Sequence, residues 1–438
     1  MVFSLGDHTV NLALSALGLV FLFFLTEIVG LRPALAGLLI WIARIVDALT
    51  DPLMGGISDA TTWRRGRRRP YFLIGAIPFG LFFALLWRAP FEAQGAMFAY
   101  YLSIYIALSL SMTVVSVPYM ALLPEMASDY DERTSLNTFR SAAAVMGTLA
   151  AVGLQPLAST LGGDRGAFAA AGALFAIWLV LPWAAVYRVS WERPRAATSV
   201  RRGARGGLSP LVRHPNYRRL CALYISARVA VDITGLALLY FFTYWLGRPE
   251  DFAIMLISLM ACVLASLPIW LRVARSMDKH RIFSLGAGWW MALMFVMFQV
   301  QPDWPRSALF ILAGSMGIGY AVADLMPWAM IGEVIDEGEL RTGQRRDGIY
   351  NGFFTFLRKL GGASAALLAG LVLDLSGYTA GQPQNESALL AIRTLTTLVP
   401  ALFLALAILV AMRYPLTRAR HQQILAALRR RDPQREPQ

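Results

Sequence analysis

Apolar residues gather in twelve blocks, each about the length a helix needs to cross roughly 30 Å of hydrocarbon. They lie at 9–29, 34–58, 70–88, 96–122, 137–160, 166–187, 220–246, 252–271, 282–300, 307–330, 348–374 and 389–412. None alternates apolar and polar residues as a barrel strand does. Lipid offers no partner to an unpaired backbone group, so each block is predicted to be a helix. The one long polar interruption, 188–219, follows the sixth block. The pattern predicts an all-α polytopic membrane protein with twelve transmembrane helices. A six-helix bundle covers 1–187, a basic cytoplasmic linker 188–219, a second bundle 220–412 and a basic cytoplasmic tail 413–438. A short echo links the halves. Block one ends Phe24-Leu25-Thr26 with Gly30, and block seven ends Phe241-Phe242-Thr243 with Gly247. A duplicated six-helix unit is a common plan of secondary transporters, with substrate held between the halves.

Composition excludes a water-solvated fold: 57% of residues are hydrophobic and 15% charged, where soluble chains carry roughly a quarter charged. The formal charge of +13 would suggest nucleic acid in a soluble protein. Here the cations sit between the apolar blocks. The polar segments 59–69, 124–135, 188–219, 272–281, 331–347 and the tail hold 29 Lys/Arg, and the opposite loops hold five: Arg32, Arg88, Arg165, Arg248 and Arg306. That asymmetry predicts both termini in the cytoplasm, a bilayer partner and no nucleic acid. The N-terminus lacks a basic region before its first apolar block, so that block is expected to be retained and not cleaved. Cys221 and Cys262 lie inside blocks and form neither a disulfide framework nor a metal spacing. In the tail, Leu416, Ile424, Leu425 and Leu428 stand among arginines. That suits either a short helix on the anionic inner leaflet or a solvated segment.

An ionisable group inside a span costs at least about 2.5 kcal/mol on insertion scales, so each one needs a reason. Block two holds Arg44, Asp47 and Asp51, whose i, i+3, i+7 spacing lines one helix face. Two carboxylates a turn apart beside a cation suit Na⁺ or a shared proton. The alternative is a structural Arg44–Asp47 ion pair. Pro52 and Gly55-Gly56 follow and predict a local break. Asp59 and the crowded Arg64, Arg65, Arg67, Arg68 and Arg69 either anchor the loop or act as a gate, with Asp59, Arg67 and Arg68 its principal members.

These residues resemble a known family. Arg44-x-x-Asp47-x-x-x-Asp51-Pro52, then Gly55, Asp59 and Gly66-Arg67-Arg68-Arg69-Pro70, are similar to the glycoside–pentoside–hexuronide:cation symporters of the major facilitator superfamily, typified by melibiose permease. Val117-Pro118-Tyr119 through Pro124, Asp131-Glu132-Arg133 and Arg140, Met326-Pro327-Trp328 through Asp336, and the run from Arg345 through Tyr350 to Lys359 match later segments in order. The resemblance implies the major facilitator fold of two six-helix bundles, alternating access and a cation site at Asp47 and Asp51. Thr113 stands at the matching hydroxyl position, and Lys359 near the cavity, where a cation competes with the coupling ion and links its occupancy to conformation. A plain helix hydroxyl and charge balance with Asp51 are the alternative readings of Thr113 and Lys359.

The melibiose-carrying members hold sugar hydroxyls with acids on spans one and four. The matching positions here are Asn11 and Ser116, which hydrogen-bond without supplying a charge-assisted acceptor. That departure keeps open a related branch that carries lysolipids with Na⁺, or an acidic metabolite, beside the favoured glycoside-type solute. In the second half, Arg228 and Asp232 can pair within one helix, and Asp324 has no sequence-local partner, with Pro327 expected to break the helix below it. Asn11, Ser116, Asp324 and Arg140 are the candidate substrate contacts, with Trp328 or Tyr350 as a stacking surface. His8, His214, His280 and His421 lie at block ends or in loops, and there is no phosphate-binding loop or nucleophile–base pair. The expectation is a monomeric inner-membrane symporter, not an enzyme, with no cofactor beyond a coupling Na⁺ or H⁺. Na⁺, if used, would sit on Asp47 and Asp51.

Overall fold

The computed structural model describes residues 1–63, 66–126, 130–192, 214–274 and 276–431. Among them every regular element is helical. α1 is a bent pair, Val2–Leu19 and Phe21–Ile28, turning by 47°. There follow α2 (Pro33–Ala60), α3 (Pro70–Leu86), α4 (Gln94–Met126), α5 (Tyr130–Val152, extended by Leu154–Thr160) and α6 (Arg165–Val189). The second series is α7 (Pro215–Tyr240, extended by Phe241–Trp245), α8 (Asp251–Val273), α9 (Lys279–Phe298), α10 (Arg306–Thr342), α11 (Asp347–Leu375) and α12 (Glu386–Thr396 with Leu398–Met412). A tail helix, α13, covers Arg418–Arg431. Each of the twelve predicted blocks is a helix.

Local chemistry sets the helix starts. Pro33 and Pro70 open α2 and α3 at a position where the missing N–H costs nothing. Asp164 caps α6 by accepting from the Ala167 amide at 2.7 Å. The predicted breaks at Pro52 and Pro327 are corrected: α2 and α10 run through both prolines as continuous helices. A spanning helix tolerates proline where its surroundings re-satisfy the freed carbonyl.

Packing divides the chain into two compact units. The first joins Met1–Ser199 with Leu238–Tyr244 and Ala366–Ala391; the second joins Val200–Ala237, Trp245–Ala365 and Ile392–Gln438. In the first unit α2 packs on α4, and α3 on α4 and α6. Its core is aromatic: Phe21 meets Tyr105 edge-on at 5.4 Å, and Phe24 meets Trp87 at 5.0 Å. In the second unit α8 packs on α10, and α9 on α10 and α12. The same three pairings thus recur six helices later, as duplication requires. The backbone repeats the echo as well. Phe24–Ile28 and Phe241–Trp245 both widen into π-helical turns. Thr26 and Thr243 both return their hydroxyls to the carbonyl four residues back. Gly30 and Gly247 both leave the helix at positive φ, 83° and 65°, which a side chain would resist.

Among the described residues, the tail packs on the protein. Leu416, Ile424 and Leu428 of the tail are buried with Tyr217, Leu220, Met330, Val334, Tyr350 and Tyr414 in one apolar cluster of the second unit. His421 Nε2 lies 2.9 Å from Asp336 Oδ2, and Arg431 donates to the Leu340 carbonyl at 2.7 Å. The apolar face of α13 therefore has a protein partner and no need of lipid.

Candidate functional site

One face of α2 carries Leu49, Leu53 and Ile57, all well exposed, as suits hydrocarbon. The other carries Asp47, 2% exposed, and the half-buried Asp51. α4 packs against that side and brings Thr113, whose Oγ1 lies 3.2 Å from Asp47 Oδ1 and 3.0 Å from Asp51 Oδ1. A hydroxyl has one proton and can donate to only one of them. Three oxygens thus converge, a donor set that suits a proton or a hard cation. Oxygen donors of this kind fit a monovalent cation such as Na⁺ and offer nothing to a soft metal. Arg44, one turn earlier, donates Nε to the buried Tyr105 hydroxyl at 3.0 Å.

Arg140 reaches into the same unit from α5. Its Nε and Nη2 grip Asp7 at 2.6 and 2.9 Å, and Tyr119 donates its hydroxyl to the same carboxylate at 2.5 Å. The guanidinium also lies over the Tyr119 ring, 5.4 Å from its centre. Asn11, a turn beyond Asp7, donates to the Asp7 carbonyl at 2.8 Å, and Ser116 is half-buried on α4. Asp7 was not foreseen. The signal it offered was an acid just ahead of the first apolar block, one helical turn before Asn11.

Of the proposed gate, Arg68 donates to Asp59 at 2.6 Å and to the Ala121 carbonyl at 2.7 Å. Glu192, also unforeseen, accepts the successive backbone amides of Arg67, Arg68 and Arg69 at 2.8, 2.9 and 2.8 Å. The Asp59–Arg68 pair is thus internal to the first unit. Arg64, Arg65 and the side chains of Asp131, Glu132 and Arg133 lie outside the described residues.

In the second unit Arg228 serves two carboxylates. Nε donates to Asp232 Oδ2 at 2.8 Å, Nη2 to Asp232 Oδ1, and Nη1 to Asp324 Oδ1 at 2.9 Å. Asp324 has its partner, one that sequence proximity could not supply. Trp328 packs edge-on against Tyr224 and Phe354 at 5.7 and 5.0 Å. Lys359 is half-buried on α11. Tyr350 is corrected as a stacking surface: it is 4% exposed, its ring meets Tyr217 at 4.7 Å and its hydroxyl presses on Gly338. It offers no open face.

Glu27, at the end of α1 opposite the termini, is a further residue the sequence reading passed over. It accepts the hydroxyls of Tyr244 and Tyr378 and the Gly381 amide, the last at 3.0 Å. Burial, with Tyr240 and Glu27 adding to it, raises the titration of Tyr378, which keeps that hydroxyl a neutral donor. Beside it Thr26 and Tyr240 share a hydrogen bond of 2.5 Å, and Arg32 pairs with Asp374 at 3.1 Å. Gly37 and Gly370 let α2 and α11 approach backbone to backbone just behind.

Comparison with known proteins adds four findings. The family described as MFS/sugar transport protein matches residues 2–418. The chain is similar to a putative glycoside/cation symporter of Escherichia coli, YagG, at 30% identity over 96% of this chain and 92% of that protein. It is also similar to sodium-dependent lysophosphatidylcholine symporter 1-A of Danio rerio, at 26% identity over 96% of this chain and 86% of that one. Among solved structures, a D-xylose–proton symporter shares the fold with a TM-score of 0.67 at 14% identity, covering 95% of this chain and 96% of its own.

Proposed function

This chain belongs to the MFS/sugar transport protein family, and on that premise we propose that it is a cation-coupled symporter of a glycoside-type solute. The observation that carries the reading is the convergence of Asp47, Asp51 and Thr113 oxygens at one point between α2 and α4. Asp47 and Asp51 bind the coupling ion, Na⁺ or H⁺, and Thr113 completes the set. Arg44 and Lys359 link its occupancy to conformation. Alternating access proceeds by rocking of the bundle 1–187 against 220–412, in a monomer of the inner membrane with both termini cytoplasmic. Asn11, Ser116, Arg140, Asp324 and Trp328 contact the solute, and Asp59, Arg67 and Arg68 close the cytoplasmic ends. Asp7 positions Arg140. The similarity to a sodium-dependent lysophosphatidylcholine symporter favours a second reading, in which the solute is an amphipathic lysolipid.

The test is cation binding by the purified full-length protein. Raising Na⁺ at fixed ionic strength, or lowering pH at fixed Na⁺, should raise the thermal midpoint of the wild type by mass action. Asp47→Asn should abolish the response. A variant that responds like the wild type removes the cation site.

A further inference from the structure

We infer that the transported solute carries an oxyanion, a carboxylate or a phosphate, and that Arg358 on α11 receives it. The inference rests on the symport reading above and deepens it by naming the substrate's charge.

Arg358 stands near the middle of α11, within the candidate span Asp347–Leu375, and is exposed. A guanidinium at that depth does not face hydrocarbon, so it faces water. Among the described residues no hydrogen-bonding or ion-pair partner meets it, and its five donors are open. The contrast is with Arg228, the other arginine of this region, whose guanidinium is taken up by Asp232 and Asp324. The two arginines belong to one neighbourhood. Gly361 and Gly362, one turn beyond Arg358 on the same face of α11, lie flat against that ion pair. A Cβ on Gly361 would stand 3.2 Å from Arg228 Cγ, and one on Gly362 would stand 3.0 Å from Asp232 Oδ2. Arg358 also lies within electrostatic reach of Tyr320 and Tyr224, as do Arg228 and Asp324.

The neighbourhood therefore offers two complementary functions. Asp324 is partly exposed, and only its Oδ1 is engaged, so Oδ2 can accept a hydroxyl. Arg358 offers a planar donor fork that matches a carboxylate or phosphate bidentately. Thr355 and Asn351, on the same face, return their side chains to the helix backbone and do not compete for it. A hydroxylated solute with an oxyanion uses both groups, whereas a neutral glycoside uses only the acid.

The experiment measures binding to full-length protein in nanodiscs with three probes: phenyl β-D-glucuronide, glucose 6-phosphate and phenyl β-D-glucoside. At least one anionic probe should bind about tenfold or more tightly than the neutral glucoside, the size expected of hydrogen bonds to a charged group. The better anion identifies the source as carboxylate or phosphate. Arg358→Gln should erase the preference, leaving the anions bound no more tightly than the glucoside, and Arg358→Lys should restore part of it. A glucoside bound as tightly as both anions, no binding of either anion, or a preference intact in Arg358→Gln would overturn the inference. If Arg358→Gln fails to fold, the wild-type ranking of the three probes decides alone. Neutral glycoside binding with a Na⁺ or proton response would leave the symport reading standing and remove this inference alone.

Discussion

Without the Asp7 carboxylate, the Arg140 guanidinium would stay in a largely buried position, its side chain 15% exposed, with its two strongest acceptors gone. Removing one partner of a buried pair typically costs about 3–5 kcal/mol, most of it the unpaired charge. Asp7→Ala should therefore lower the thermal midpoint of the purified protein by several degrees, and Asp7→Asn by less. An unchanged midpoint would mean that Arg140 finds another acceptor and that Asp7 does not position it. The same residue marks where sequence reasoning stops. Asp47 and Asp51 announce themselves because two acids a turn apart inside an apolar block are costly there and need a reason. Asp7 meets Arg140 across 133 positions, and Glu192 meets the Arg67–Arg69 amides across more than 120. Neither partnership leaves a local pattern, and only the fold brings the groups together.

At the scale of elements, apolar block length was enough to locate twelve helices. It did not reveal that α10 continues to Thr342, well past its apolar block. That extension is polar and is held from the side: Lys279 pairs with Glu333 at 2.9 Å, and Arg345 with Asp336 at 2.8 Å and Glu339 at 3.0 Å. The prolines misled for a related reason, since a proline reports a lost hydrogen bond and says nothing of neighbours that replace it. The ends of α1, α7 and α11 meet at Glu27, with three donors on one carboxylate. Hydrogen bonds to a charged group are worth about 1.5–3 kcal/mol each, so this cluster ties the three segments together within the first unit. Thr26, 1% exposed beside it, supplies a reporter. A Thr26→Cys protein should react slowly with a water-soluble maleimide, and adding Glu27→Ala should speed labelling about tenfold or more. Equal rates would mean that the Glu27 cluster does not shield Thr26 from water.

Across the whole molecule the cations behind the formal charge of +13 concentrate in alternate loops, the asymmetry on which the expected orientation rests. The cations that do enter spans are few, and the structure divides them by role. Arg140 and Arg228 are committed to carboxylates, Arg44 reaches a tyrosine and Arg358 presents open donors. The sequence showed one short echo between the halves, and three helix pairings of α2–α6 recur in α8–α12. The central claim is that Asp47, Asp51 and Thr113 couple a cation gradient to solute movement. Its most direct test compares two transport modes of reconstituted protein. Wild type should accumulate a radiolabelled phenyl glycoside, glucoside or glucuronide, inside proteoliposomes when a Na⁺ or proton gradient is imposed. Asp51→Asn should lose that accumulation yet still exchange labelled for unlabelled solute across the membrane. Gradient-driven accumulation by Asp51→Asn at the wild-type level would contradict the account.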